Sequence, residues 1–215
     1  MFKARTLGTL LTVALMLPVW LVPLHQPDPD APLARISYSI SAVRGPQVRL
    51  EDIEPPEKVR MINHILRVLD IYWTDVAAAE KLRFAEFLYE ESVAYKLDPM
   101  LILAVIKVES TFDVDAISSK GARGLMQLLP VVAHSRAEVL GLKLSTSAEI
   151  FDPYLNVRLG VNYLAHLRDR FRDMNLALEA YYLGPTAVYE LMSEQGLSLG
   201  YARRVLLTYH RFRRS

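Results

Sequence analysis

Glu109 closes an apolar run, Met100-Leu101-Ile102-Leu103-Ala104-Val105-Ile106-Lys107-Val108, and Ser110 follows it. Next comes a segment of small residues punctuated by glycine, Ile117-Ser118-Ser119-Lys120-Gly121-Ala122-Arg123-Gly124-Leu125-Met126-Gln127. A carboxyl that ends a hydrophobic helix just before a glycine-rich turn is poorly solvated. Poor solvation disfavours the charged form, raises the pKa and makes the group a proton donor near neutral pH. Cleavage of a glycosidic bond needs such a donor. The neighbouring residue types have matching capacities. Ser110 can bond locally and fix the next turn. Gly121 and Gly124 permit backbone angles and close approaches that a Cβ forbids, which exposes main-chain groups to a sugar's acetamido arm. Gln127 supplies a donor and acceptors. Tyr181 and Tyr201 offer flat apolar faces with hydroxyl tips, suited to sugar rings. Met126 matters here through its main chain more than its sulfur.

Other chemistry-bearing residues read more plainly. Asp113 and Asp115 could supply the second carboxylate of an ordinary glycosidase, but in a loop they prefer local backbone bonds and are taken as turn residues. Tyr182 and Tyr189 read as packing residues. His25, His64, His134, His166 and His210 show no metal-ligand spacing, so surface or partly buried roles are expected of them. Arg203, Arg204, Arg211, Arg213 and Arg214 form a solvated helix face, with anionic lipid or peptide carboxylates as the alternative contact.

The elements that must position Glu109 are helical from Glu57 onward. Val59, Ile62, Ile65, Leu66 and Leu69 recur at helix spacing, as do Leu82, Ala85, Phe87, Leu88 and Val93. Asp98-Pro99 is an N-cap with a first-turn proline, opening the helix that ends near Glu109. Asp152-Pro153 repeats that signal before an amphipathic stretch carrying Leu155, Leu159, Val161, Leu164, Leu167 and Phe171. A short helix from Leu176 to Tyr182 stops at Gly184-Pro185, and Thr186–Met192 and Tyr201–Phe212 complete the set. The fold class is all-α, with a helical domain over 75–215. The segment 57–74 is its first helix or a separate spacer.

The N-terminal part has a different character. Lys3 and Arg5 precede an apolar run from Leu7 to Leu24, the layout of an export signal and long enough for a bilayer. Residues 1–25 are therefore a signal peptide or, preferred for want of a small-x-small cleavage site, an uncleaved anchor with its positive side in the cytoplasm. Residues 26–56 are a proline-rich linker, in which Ile36–Ile40 alternates as a short strand would. The 215 residues, 52% hydrophobic, suit one compact domain plus extra segments, and a net charge of +1 does not indicate a nucleic-acid binder. The lack of cysteine excludes disulfides, thiolate metal sites and cysteine nucleophiles.

More than ten residues, among them Glu109-Ser110, Phe112, Ala116, Ser118, Gly121-Ala122, Gly124-Leu125-Met126-Gln127 and Pro130, occupy about twenty-two positions in a pattern that resembles the signature of soluble-type lytic transglycosylases, of the lysozyme-like superfamily. Ala180-Tyr181-Tyr182-Leu183-Gly184-Pro185 is similar to that family's A-Y-N-A-G-P, and Tyr201-Ala202-Arg203-Arg204-Val205 to its Y-V-x-x-V helix. The resemblance covers about residues 85–212. It implies a lysozyme-like fold, Glu109 as the one catalytic acid, and a cleft formed with Ser110, Ser118, Gly124, Met126, Gln127, Tyr181 and Tyr201. It also implies cleavage of peptidoglycan glycan strands between N-acetylmuramic acid and N-acetylglucosamine, with a 1,6-anhydro product and no cofactor. The site would lie in the periplasm, tethered by the N-terminal segment or secreted after its cleavage, with an envelope protein complex as a further possible partner. Two departures stand out. Tyr182-Leu183 replaces the family's Asn-Ala, and Leu197-Ser198-Leu199 stands where the family often carries E-T-R. A hydrolytic muramidase of the same fold, and a weakly active murein-binding part of an envelope assembly, are the competing expectations.

Overall fold

Proline opens most of the helices in this chain. The computed structural model describes residues 55–194 and 196–214. Among them, α1 (Pro56–Tyr72), α3 (Pro99–Glu109), α4 (Pro130–Val139), α5 (Pro153–Phe171) and α7 (Pro185–Ser193) carry a proline in the first turn. The ring presets the helical φ where the missing N–H has no intrahelical partner to lose. Aspartates supply three of the caps: Asp98 accepts from Met100 N, Asp152 from Leu155 N, and Asp173 from Leu176 N at the start of α6 (Met174–Leu183). Two further helices, α2 (Ala78–Ala94) and α8 (Gly200–Phe212), and a 3₁₀ turn, Ser147–Phe151, complete the described architecture. The only β pairing among the described residues is in isolated bridges, Ile117 to Arg123 and Arg123 to Leu128. The fold is all-α, as the patterning requires.

The helix that ends in Glu109 is the centre of the core. Every residue from Pro99 to Ile106 is buried, so α3 is apolar all round and must be enclosed. It is enclosed by α8, α1 and α2. Helix α1 contributes Ile62, Ile65, Val68 and Leu69 to the same core, and Trp73 just beyond it meets Phe84 of α2 edge-on at 4.8 Å. A smaller apolar cluster joins α4, α5 and the 3₁₀ turn through Leu128, Ala133, Ala137, Ile150 and Leu159.

Two expectations about buried faces are corrected. Val59 in α1 and Leu82 and Val93 in α2 are exposed. The buried stripe of α2 is instead Lys81, Phe84, Ala85, Leu88 and Ser92, one step round the helix. Its charged member, Lys81, pairs with Asp70 at 2.9 Å, and that pairing is what lets a lysine sit on the inner face. Helix α4 and the 3₁₀ turn had not been expected as elements. The proposed anchor, the linker to residue 54 and the alternating Ile36–Ile40 lie outside the described residues. Among the described residues no helix is long and apolar enough to cross a membrane.

Candidate active site

Helix α3 delivers Glu109 and stops abruptly. Ser110 Oγ donates back to Ile106 O at 3.2 Å, and Thr111 and Phe112 both adopt left-handed angles, φ 56° and 68°. That backbone is costly for non-glycine residues, and for a β-branched threonine especially. Burial of Phe112, stacked on Tyr72 with ring centroids 5.9 Å apart, offsets the cost. The chain therefore reverses within two residues of the carboxyl. Asp115 N then donates to Asp113 Oδ1 at 2.9 Å, the local turn expected of these exposed aspartates.

The glycine-punctuated segment folds back beside Glu109 as a tight loop. Gly124 N donates to Ala116 O, and Arg123 and Leu128 exchange both backbone bonds, all at 3.0 Å. Asn156, fully buried on α5, fixes this loop from behind. Its Oδ1 accepts from Met126 N at 2.7 Å, and its Nδ2 donates to Arg123 O and Ile150 O, each at 2.9 Å. Gly124 has φ +74°, and a Cβ there would lie 2.5 Å from Asn156 Nδ2. Glycine is thus required twice over at this position.

Glu109 lines a cleft of about 240 Å³ together with Ser118, Ser119, Lys120, Gln127, Leu129, Tyr181 and Tyr182. Among the described residues it is the only carboxylate in that lining. Burial is the dominant influence on it and raises its pKa above the ordinary carboxyl range. Two groups act in the opposite direction. Tyr201 donates its hydroxyl to Glu109 Oε1 at 2.5 Å, and the nearby Arg204 guanidinium favours the charged form. Burial, reinforced by the neighbouring Glu109, pushes the Tyr201 phenol well above its usual range, so tyrosine is the donor in this pair.

The expected site residues divide into those that reach the cleft and those that support it. Glu109, Ser118, Gln127 and Tyr181 line it. Gln127 spends both amide hydrogens on Ala116 O and Gly124 O, each 2.9 Å away, so its acceptor oxygen is what it has left to offer. Tyr181 donates to Met126 O at 2.8 Å. The other four expected residues lie behind or beside the lining. Met126 is fully buried, and its N–H and C=O are taken by Asn156 and Tyr181. Gly124 is buried, its N–H bound to Ala116 and its C=O to Gln127, so it shapes the loop without presenting a free backbone group. Ser110 bonds to α3 and does not line the cleft. Tyr201 is only 2% exposed and offers Glu109 a hydroxyl, not a ring face to solvent.

Sequence reasoning missed two residues and misread a third. Asn156 lies in a stretch read only for its apolar spacing. Glu179 on α6 is 2% exposed, and its Oε1 accepts from Ala202 N at 2.8 Å, capping the first turn of the helix that carries Tyr201 and Arg204. Tyr182, read as packing, is 55% exposed and lines the cleft. No group of three histidine, aspartate or glutamate side chains able to hold a metal occurs among the described residues.

The described residues thus form an all-α domain in which a fully enclosed helix ends in a half-buried glutamate facing a glycine-turned loop. The lytic transglycosylase Slt of Pseudomonas aeruginosa (an inactive mutant) and the 70 kDa soluble lytic transglycosylase of Escherichia coli have this fold, each with a TM-score of 0.55 over 73% of this chain and 30% of theirs, at 24% and 18% identity. The transglycosylase SLT domain model matches residues 86–199, just over half the chain, and the chain belongs to that family. The transglycosylase of Enterobacteria phage PRD1 is 39% identical over 103 residues, 48% of this chain and 36% of that protein. The membrane-bound lytic murein transglycosylase C of Histophilus somni (strain 2336) is 35% identical over 98 residues, 45% of this chain and 27% of that protein. The chain thus spans about a third of the length of these relatives or less.

Proposed function

We propose that this chain is a peptidoglycan lytic transglycosylase with Glu109 as its only acid–base group. The observation that carries the reading is the position of Glu109: a half-buried carboxyl with a raised pKa, alone among carboxylates in the cleft lining. The relatives' names supply the substrate class, murein.

In the first step the protonated Glu109 gives its proton to the glycosidic oxygen between N-acetylmuramic acid and N-acetylglucosamine, and the C1–O bond breaks. The muramyl N-acetyl oxygen stabilises the positive charge at C1, as in substrate-assisted glycosidases. Glu109, now a carboxylate, then takes the proton of the muramyl C6 hydroxyl. That oxygen bonds to C1, a 1,6-anhydro ring closes, and Glu109 is protonated again. No water is consumed. Tyr201 holds the carboxyl in place and steadies its charged form between the steps. The acceptor oxygen of Gln127 and the hydroxyl of Ser118 are the groups that hold acetamido and hydroxyl donors of the sugar.

The rival muramidase keeps the fold but needs water at C1, and a scaffold needs no competent acid. The desolvated carboxyl favours an enzyme over the scaffold, and the Gly124-Leu125-Met126-Gln127 pattern with the relatives' transglycosylase names favours the lyase over the muramidase. The site works on the envelope side of the inner membrane, with residues 1–25 as its tether or export signal. Mass spectrometry of murein fragments decides among the readings. Anhydro ends, lighter by one water, support the lyase. Reducing ends identify the muramidase, and intact murein with retained binding identifies the scaffold.

A further inference from the structure

We propose that the outer face of Tyr182 is a stacking platform for an N-acetylated sugar ring, a specificity-determining subsite at one wall of the cleft. The inference rests on the glycan-cleaving reading above. In the family signature this position is an asparagine, whose amide has no comparable apolar face.

Tyr182 sits at the C-terminal end of α6, lines the cleft beside Glu109, and is 55% exposed. Its inner face is occupied. Tyr201 lies parallel to it, with ring centroids 4.9 Å apart and planes inclined by 6°. The Arg204 guanidinium carbon is 5.8 Å from the Tyr182 centroid and 5.5 Å from that of Tyr201. A group capping the outer face of Tyr182 would lie much nearer to Tyr182 than to Tyr201. Nearly equal distances mean that Arg204 is shared between the two rings and does not cap Tyr182 alone, and Tyr182 remains 55% exposed. The ring is thus braced on one side and open on the other.

A pyranose has the complementary shape, a patch of C–H groups on one face and polar groups around the rim, and a phenol offers an apolar face with a polar tip. Because Tyr201 and Arg204 already fix the ring, little side-chain freedom is lost when a sugar docks. Stacking adds binding without proton transfer. It therefore affects ground state and transition state alike and acts on KM more than on kcat.

The test uses the full chain carrying Glu109→Gln, so that ligand is bound but not cleaved, with N-acetylglucosamine hexamer as the probe and calorimetry as the readout. Adding Tyr182→Ala or Tyr182→Asn weakens binding about tenfold, while Tyr182→Phe and Tyr182→Trp stay within about threefold. With Glu109 intact, Tyr182→Ala raises KM on murein and leaves the pH profile of kcat in place. Unchanged hexamer affinity in Tyr182→Ala overturns the platform, as does equal weakening by Trp and Ala. A shift of the kcat pH profile with unaltered binding also overturns it, because that pattern belongs to a residue that only braces Tyr201 against Glu109. Absence of anhydro product from the wild-type chain, with Tyr182-dependent hexamer binding intact, sinks the lyase reading and spares this one. No hexamer binding with Tyr182 in place overturns the platform outright.

Discussion

The Tyr201 hydroxyl donates to Glu109 Oε1 at 2.5 Å across 92 positions of sequence, joining the first turn of α8 to the last turn of α3. The two influences on the glutamate oppose one another. Burial favours the acid form and is the larger; the Tyr201 bond, with Arg204 behind it, favours the carboxylate. A group that must be acid in one step and base in the next is served by such a balance.

Removing the tyrosine hydroxyl removes the stronger of the two opposing influences. In Tyr201→Phe the Glu109 pKa rises further, and the alkaline limb of the rate–pH profile moves to higher pH, because the acid form survives longer. Arg204→Gln moves it in the same direction by less, since its charge is the smaller influence. Initial rates of murein clearing across a pH series check both. A limb that stays put, or moves to lower pH, would count against the assignment.

Stability should carry the same signature. The folded-state pKa of Glu109 lies above its unfolded value, so the folded chain binds more protons over the window between them. The stability from this group is fully present below the unfolded pKa and is lost as pH rises through the folded one. Glu109→Gln, neutral at every pH, therefore gains melting temperature relative to the wild type as pH is raised from the ordinary glutamate pKa through the folded-state one. Melting curves at several pH values read this directly. A difference independent of pH would mean the carboxyl is not desolvated.

The loop that faces Glu109 depends on one buried amide. Asn156→Leu takes away the partners of Met126 N and Ile150 O, while Arg123 O keeps its bond from Leu128 N. Each orphaned buried group costs about 1–3 kcal/mol, so a loss of about 3–5 kcal/mol is expected after partial relaxation. Gly124→Ala meets the same amide and a disfavoured φ together, with a cost of about 2–4 kcal/mol. Urea denaturation midpoints check both substitutions, and near-neutral values would show that the loop is held by something else.

Glu179 anchors the helix that bears Tyr201. Glu179→Ala leaves Ala202 N unpaired in a buried setting and costs about 1–3 kcal/mol, whereas Glu179→Gln keeps an acceptor and costs less. If Ala and Gln destabilise equally, the carboxylate is not acting as a helix cap.

The legible parts of this molecule were those written in local spacing. Asp98-Pro99 and Asp152-Pro153 gave the starts of α3 and α5, and the apolar run from Met100 to Ile106 ahead of Glu109 gave both the enclosed helix and the desolvated acid. What stayed hidden depends on contacts remote in sequence. That Tyr201 turns its hydroxyl inward follows from the packing of α8 on α3, which no periodicity encodes. Asn156 and Glu179 are polar residues on inner faces, where a pattern search looks for apolar ones. Lys81 displaced the expected stripe on α2 for the same reason: its partner, Asp70, lies on a different helix. The open ring of Tyr182 could not be told from a packing residue until Tyr201 was seen to cover one side only.

The most direct measurement compares the products of wild type and Glu109→Gln on purified murein by mass spectrometry, with binding of each to the same murein measured in parallel. Equal binding, 1,6-anhydromuramoyl ends from the wild type and none from Glu109→Gln is the result expected. Anhydro ends released equally by both chains would contradict the account, because the proton would then come from some other group.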